Sequence, residues 1–113
     1  MLYMLIERFK NGDPVPVYRR FRDQGRRLPA GLTYIASWVT LDMTTCYQMM
    51  ECEERRLLDD WIAAGSDLVD FEVIPVMTSA EAVQRITPRL WLRAVAIADA
   101  GLDITASGSA ARG

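Results

Sequence analysis

LYMLIERF, at residues 2–9, is apolar at both even and odd positions until it reaches Glu7 and Arg8. A strand that buries only one face alternates apolar and polar residues, so this stretch predicts a strand with two buried faces. Three further runs have the composition of strands: Leu32–Leu41, Thr45–Cys52 and Leu68–Met77. The chain therefore predicts four strands.

Two amphipathic helices are predicted between these strands, at Pro14–Leu28 and Glu53–Ala64. The resulting order β-α-β-β-α-β builds one α+β sheet with both helices on the same face. A chain of 113 residues has little left to cover the other face. We therefore expect a homodimer in which two sheets pack against each other.

Two more helices are predicted after the fourth strand. A capping-box spacing at Thr78 starts a short one. Thr87 and the proline after it open another, which is predicted to end at Gly101. The small polar residues Thr105–Gly113 predict a disordered tail.

Size and composition suit a single globular domain, since half of the residues are hydrophobic and a quarter are charged. We place this domain at residues 1–86 and assign residues 87–113 to the C-terminal helix and tail. The net charge of −2 argues against nucleic acid and anionic membranes as partners. Cys46 and Cys52 lie too far apart on one predicted strand to form a disulfide, so we expect a reduced, cytoplasmic protein.

Five segments carry a family resemblance: Met1–Lys10, Pro16–Arg22, Ser37–Val39, Met50–Cys52 and Glu72–Val76. They resemble a small uncharacterised bacterial family of domains of unknown function. Such proteins are similar to the dimeric α+β barrel superfamily. The resemblance implies a ferredoxin-like subunit, with an antiparallel four-stranded sheet and helices on one face. It also implies a homodimer, and residues 87–113 lie outside it.

The superfamily includes cofactor-independent monooxygenases, haem-degrading enzymes, haem peroxidases, lactone isomerases and binding proteins without known activity, so the resemblance sets no function. The chain contains no histidine. A haem iron ligated by histidine and a histidine general base are therefore both excluded. We expect no cofactor, and chemistry that depends on other polar side chains.

Six polar side chains could act in a pocket: Glu7, Arg8, Tyr18, Gln48, Glu51 and Glu72. We favour Glu51, which lies between two methionines and Cys52, because a carboxylate in apolar surroundings has a raised pKa. Alternatively, Glu51 lies in water at a strand end or pairs with Arg8. Trp38 has the same parity as Tyr34 and suits either an aromatic ligand or a core or interface.

The predicted pocket accordingly consists of Arg8, Tyr18, Trp38, Gln48 and Glu51, with no metal. Two functions stay open. The first is a homodimer that binds a small apolar or aromatic molecule between sheet and helices. The second is a cofactor-independent monooxygenase or isomerase. In that enzyme Glu51 takes a proton, Arg8 stabilises the developing anion and Trp38 positions the ring. Strand register, which the sequence does not reveal, decides whether these groups meet.

Overall fold

A computed structural model describes the backbone of residues 1–99 and the side chains of residues 1–91. The strands are β1 (Leu2–Phe9), β2 (Thr33–Val39), β3 (Thr45–Glu51) and β4 (Val69–Val76). The helices are α1 (Val15–Gln24), α2 (Arg55–Gly65) and α3 (Ser79–Asp99), with a 3-10 turn at Lys10–Gly12. Four strands and an α+β architecture are thus confirmed. No helix within the described residues is long and apolar enough to cross a membrane.

The four strands form one sheet in the order β2-β3-β1-β4, and every neighbouring pair is antiparallel. The connection through α1 skips over β3, and the connection through α2 skips over β1. A hairpin joins β2 to β3, where the Thr40 amide donates to the Thr45 carbonyl at 2.9 Å. The central strands β1 and β3 therefore hold the residues best placed for a shared site.

Helices α1 and α2 pack on the same face of the sheet. Leu5 of β1, Met50 of β3 and Leu58 of α2 are fully buried together in the main cluster. A second cluster is formed by Phe9, Cys46 and Val69, and Val17 of α1 packs against it. Each fully buried aliphatic side chain contributes about 1.5–3 kcal/mol, so these clusters fix the sheet against its helices.

The other face of the sheet, which we call the open face, has apolar side chains at its centre that α1 and α2 do not cover. Met4, Ile6 and Met49 are half-buried there. Trp38 is 56% exposed, Tyr47 40% and Ile74 38%. The two-sided apolar character of β1 is therefore real, although α1 and α2 bury only one of its sides.

α1 is shorter than predicted, because it ends at Gln24 and not at Leu28. Gly25 adopts φ 67°, a left-handed conformation that ends helices, and its amide donates to the Phe21 carbonyl at 2.7 Å. The residues from Gly25 to Leu32 form a loop instead of a last helical turn. This loop carries Arg26 to the mouth of the site described below.

α3 is one continuous helix and not the two that were predicted. The Thr78 hydroxyl accepts the Glu81 amide at 3.1 Å, which confirms the predicted helix start. Pro88 lies within the helix, where a proline removes one backbone hydrogen bond and favours a kink but does not end this helix. The chain divides into two compact units between Val76 and Met77, so the predicted boundary at residues 86–87 falls inside α3. The predicted helix end at Gly101 and the predicted disordered tail lie outside the described residues.

Candidate functional site

A cavity of about 920 Å³ lies between the sheet and helices α1 and α2, within the unit Met1–Val76. Its volume is in the range of small-molecule pockets, about 300–1,000 Å³. The lining residues used below are Glu7, Phe9, Val17, Tyr18, Phe21, Arg26, Ser37, Cys46, Gln48, Trp61 and Phe71. None of the side chains of α1 is buried, so this helix does not fill the space between itself and the sheet.

Glu7 is the charged group at the floor of the cavity. It lies on β1 between Leu5 and Phe9, on the face covered by the helices, and only 7% of its surface is exposed. Burial raises the pKa of Glu7 from 4.5 to about 7, although the positive charge of Arg26 opposes the shift. Its Oε2 has no hydrogen-bond partner among the described residues. Burial has removed water from this oxygen without giving it a new hydrogen bond. A ligand that donates a hydrogen bond to it would therefore gain affinity.

Three residues of the other strands, Cys46, Gln48 and Ser37, lie on the same face of the sheet as Glu7. Cys46 is directly opposite Glu7 in the β1–β3 ladder, and Gln48 is opposite both Leu5 and Ser37. The Gln48 amide donates to the Met50 sulfur at 3.2 Å. Burial, together with the negative charge of Glu7, raises the pKa of the Cys46 thiol to about 11. Cys46 is thus a neutral thiol at pH 7, which makes it a poor nucleophile.

Tyr18 of α1 faces these strand residues from across the cavity. Its ring meets the Phe9 ring edge-on, with centroids 6.2 Å apart. Burial, followed by the negative charge that Cys46 or Glu7 would carry, raises the pKa of the Tyr18 phenol. The phenol therefore stays protonated near neutral pH and can donate a hydrogen bond.

Arg26 is a positively charged residue of the lining whose side chain stacks on aromatic rings. Its guanidinium carbon lies 3.7 Å from the centroid of the Tyr34 ring and 4.9 Å from that of the Phe21 ring. The indole of Trp61 donates to the Arg26 carbonyl at 2.8 Å, which ties the loop to α2. The Tyr34 hydroxyl in turn hydrogen-bonds the Ser37 hydroxyl at 2.7 Å.

The remaining wall combines apolar and aromatic side chains with polar ones near Arg20 and Asp67. Val17 and Phe21 come from α1, and Trp61 of α2 meets Phe71 of β4 edge-on at 5.9 Å. At one rim the guanidinium of Arg20 donates two hydrogen bonds of 2.7 Å to the Asp67 carboxylate. This pair connects α1 to the loop between α2 and β4. The site is therefore an aromatic cleft with a small polar floor.

The structure does not bring the five predicted pocket residues together. Tyr18 and Gln48 line the cavity, whereas Arg8, Trp38 and Glu51 lie on the open face. The reason is strand parity, because residues adjacent in a strand point to opposite sides of the sheet. A register shift after Tyr34 also puts it on the opposite face from Trp38, so the predicted shared face of these two residues was wrong.

The favoured carboxylate, Glu51, is exposed at the end of β3, opposite Leu2. Arg8 does not pair with it, because its guanidinium bonds the Glu72 carboxylate at 3.1 Å.

Sequence reasoning named Glu7 but did not prefer it, and it missed Arg26, Ser37 and Cys46 as lining groups. The signal that could have found Glu7 is its parity with Leu5 and Phe9, an acid between two large apolar residues. Arg26 carried no signal, because the predicted helix extended through it. Within residues 1–91, no cluster of three or more cysteine or acidic side chains could hold a metal ion.

A family model described as a domain of unknown function, DUF3303, matches residues 1–90. No curated protein and no solved structure matches the chain. The match includes every strand, helices α1 and α2 and all residues that line the cavity. Since this family model covers most of the sequence, the chain belongs to the family of DUF3303 domains.

Proposed function

We propose that this protein binds a small apolar or aromatic molecule in the cavity between the sheet and helices α1 and α2. The observation that supports this most directly is the combination of aromatic walls with one buried carboxyl group that lacks a partner among the described residues. Pockets for small molecules share this design, with apolar surfaces that give affinity and a few polar groups that orient the ligand.

A neutral reporter dye tests the proposal. N-phenyl-1-naphthylamine fluoresces in apolar sites, and Ala64→Trp would place an indole into the cavity from α2. We expect this variant to bind the dye at least tenfold more weakly than the wild type. Ala82→Trp is the matched control, an exposed alanine on α3 that does not line the cavity. Equal dye binding by all three proteins would place the dye elsewhere and overturn the proposal.

The same proposal includes a ferredoxin-like subunit that forms a homodimer through the open face. Antiparallel sheets that face water usually present polar side chains there, whereas this face presents Trp38, Tyr47 and Ile74. The face also carries both signs of charge, since Arg8 lies beside acidic residues of β4. A second copy related by a two-fold axis would cover the apolar centre and repeat these ion pairs across the interface.

Glu7 favours a second function, a cofactor-independent isomerase or monooxygenase. A carboxyl with a pKa of about 7 exchanges protons readily near neutral pH. In an isomerisation, Glu7 would take a proton from a carbon beside a carbonyl and return it to another carbon of the same enolate. In a monooxygenation it would take a phenolic proton. Dioxygen would then supply the new carbonyl oxygen, and its other atom would leave as water with the two hydrogens that the substrate loses.

Oxygen uptake with dihydroxynaphthalenes and deuterium uptake from D₂O into β,γ-unsaturated ketones would detect these two reactions. Glu7→Gln keeps the shape of the side chain but cannot accept a proton. If the protein is such an enzyme, this variant should bind the dye normally and turn over at least 100-fold more slowly. Turnover that survives Glu7→Gln would rule out this enzyme hypothesis and leave the binding function intact.

A further inference from the structure

Two charged side chains of the cavity, Arg26 and Glu7, keep polar atoms available for a ligand, although the charge of Arg26 already acts on the carboxyl group of Glu7. Arg20 pairs with Asp67, and Arg27 donates to the Gln24 side chain at 3.0 Å. Arg26 forms no ion pair with any carboxylate of residues 1–91. Glu7 presents an Oε2 atom without a hydrogen-bond partner in the same part of the chain.

The position of Arg26 is held at both its backbone and its side chain. Its carbonyl accepts the Trp61 indole N–H at 2.8 Å, and its neighbours Gly25 and Arg27 both have positive φ. Its guanidinium lies over the rings of Tyr34 and Phe21. Stacking uses the face of the guanidinium and leaves its N–H edges available. A planar, oriented fork of N–H groups matches a carboxylate, which it can bind with two hydrogen bonds.

Arg26 thus requires a carboxylate on the ligand, and Glu7 requires a hydrogen-bond donor. Its carboxyl lies on the cavity floor and can accept a hydrogen bond from a hydroxyl group when ionised. A ligand without such a group would leave the buried oxygen unpaired and would forgo that part of the affinity. The lining of the cavity includes the aromatic side chains of Phe9, Phe21 and Trp61, so the body of the ligand should be apolar.

On the basis of the proposed binding function, we infer that the ligand is a small hydroxylated organic acid with an aromatic or apolar body. Its carboxylate binds the guanidinium of Arg26, and its hydroxyl binds the carboxyl group of Glu7. A neutral hydrocarbon would satisfy the walls but neither charged group. A dianion would place a second negative charge beside the Glu7 carboxyl, which the site opposes.

Calorimetric titration with three matched probes tests this inference: 4-hydroxyphenylacetate, its methyl ester and phenylacetate. The ester removes the negative charge, and phenylacetate removes the hydroxyl. We expect the wild type to bind the hydroxy acid at least tenfold more tightly than the ester and severalfold more tightly than phenylacetate. Arg26→Gln should abolish the advantage of the acid over the ester and leave ester binding within about twofold of the wild type.

Arg22→Gln is the control, because it removes the same charge from α1 at a residue that pairs with Asp23 and does not line the cavity. It should keep the full preference for the acid. Retained ester binding by Arg26→Gln would show that the variant folds. Equal affinity of the wild type for acid and ester would overturn the inference while leaving the binding function in place. Failure of all three probes to bind would also overturn it, whereas the binding function would still be judged by the neutral dye and Ala64→Trp.

Discussion

At the scale of single residues, Glu7 shows how a site can oppose the stability of its own fold. A carboxylate is strongly solvated, so burying it on the helix side of β1 costs free energy that the nearby charge of Arg26 only partly offsets. The neutral carboxylic acid costs less free energy to bury, so the folded protein keeps Glu7 protonated up to a pH of about 7. Buried groups with shifted pKa values are concentrated at functional sites, which is why Glu7 is the residue to test first.

The pKa of Glu7 predicts a specific loss of stability with rising pH. The group titrates near 4.5 when unfolded and at about 7 when folded. Between these values the folded protein keeps a proton that the unfolded chain has released, so stability falls as the pH rises and levels off above about 7. The loss is on the order of 3 kcal/mol at most, since one pKa unit corresponds to about 1.4 kcal/mol.

Urea unfolding of the wild type and Glu7→Gln at pH 5 and pH 8 measures this effect. Glutamine cannot ionise, so the variant should gain about 1–3 kcal/mol relative to the wild type on going from pH 5 to pH 8. The Cys46 thiol and the Tyr18 phenol, which face Glu7, stay neutral over this range and do not contribute. Parallel pH profiles for the two proteins would contradict a raised pKa.

The sequence could not distinguish the two sides of β1. Glu7 shares its parity with Leu5, and Arg8 shares its parity with Met4 and Ile6, so both sides are apolar. Which side the helices cover depends on tertiary packing, which no local pattern encodes. The sequence therefore predicted the four strands and the presence of α1 and α2. It did not show which side of the sheet the helices cover, so the predicted pocket residues fell on both faces.

At the scale of elements, α1 is packed less firmly against the sheet than α2. It has no fully buried side chain, whereas α2 places Leu58 in the main cluster. Its contacts are Val17 against the second cluster, the edge of Tyr18 against Phe9, and the Arg20–Asp67 pair. The prediction that α1 ends at Leu28 was wrong because it took Pro29 as the stop, whereas the helix ends before Gly25, whose φ is positive.

Amide hydrogen exchange should therefore be faster in α1 than in α2 by at least tenfold, because local opening follows the number of buried contacts. Arg20→Gln removes the tie to the loop between α2 and β4 and should accelerate exchange in α1 up to about fivefold, the range of an exposed ion pair. Arg22→Gln is the control, since Arg22 pairs with Asp23 in the same helix. Equal exchange rates in α1 and α2 would contradict the weaker attachment of α1.

At the scale of the whole molecule, the two faces of the sheet present different surfaces. The helix side holds the cavity, with Glu7 and Gln48 on its floor. The open side has no such cavity residues, and its apolar side chains lie side by side in cross-strand pairs such as Trp38 with Tyr47. Contiguous apolar surface of this kind marks an interaction site more often than a solvated surface. The proposed dimer would therefore leave the cavity accessible from the opposite side.

Sedimentation velocity decides whether the open face forms this dimer. At tens of micromolar we expect the wild type to sediment at twice its chain mass of 12.8 kDa. Tyr47→Lys would place a charge on the inner strand β3 at the centre of the interface, where desolvation makes it costly, and should weaken the dimer at least tenfold. Val15→Lys, an exposed apolar residue on α1, introduces the same charge away from that face and should leave the dimer unchanged. A monomeric wild type would contradict the proposed dimer, and a dimer that survives Tyr47→Lys but dissociates in Val15→Lys would place the interface on the helices and close the cavity from solvent.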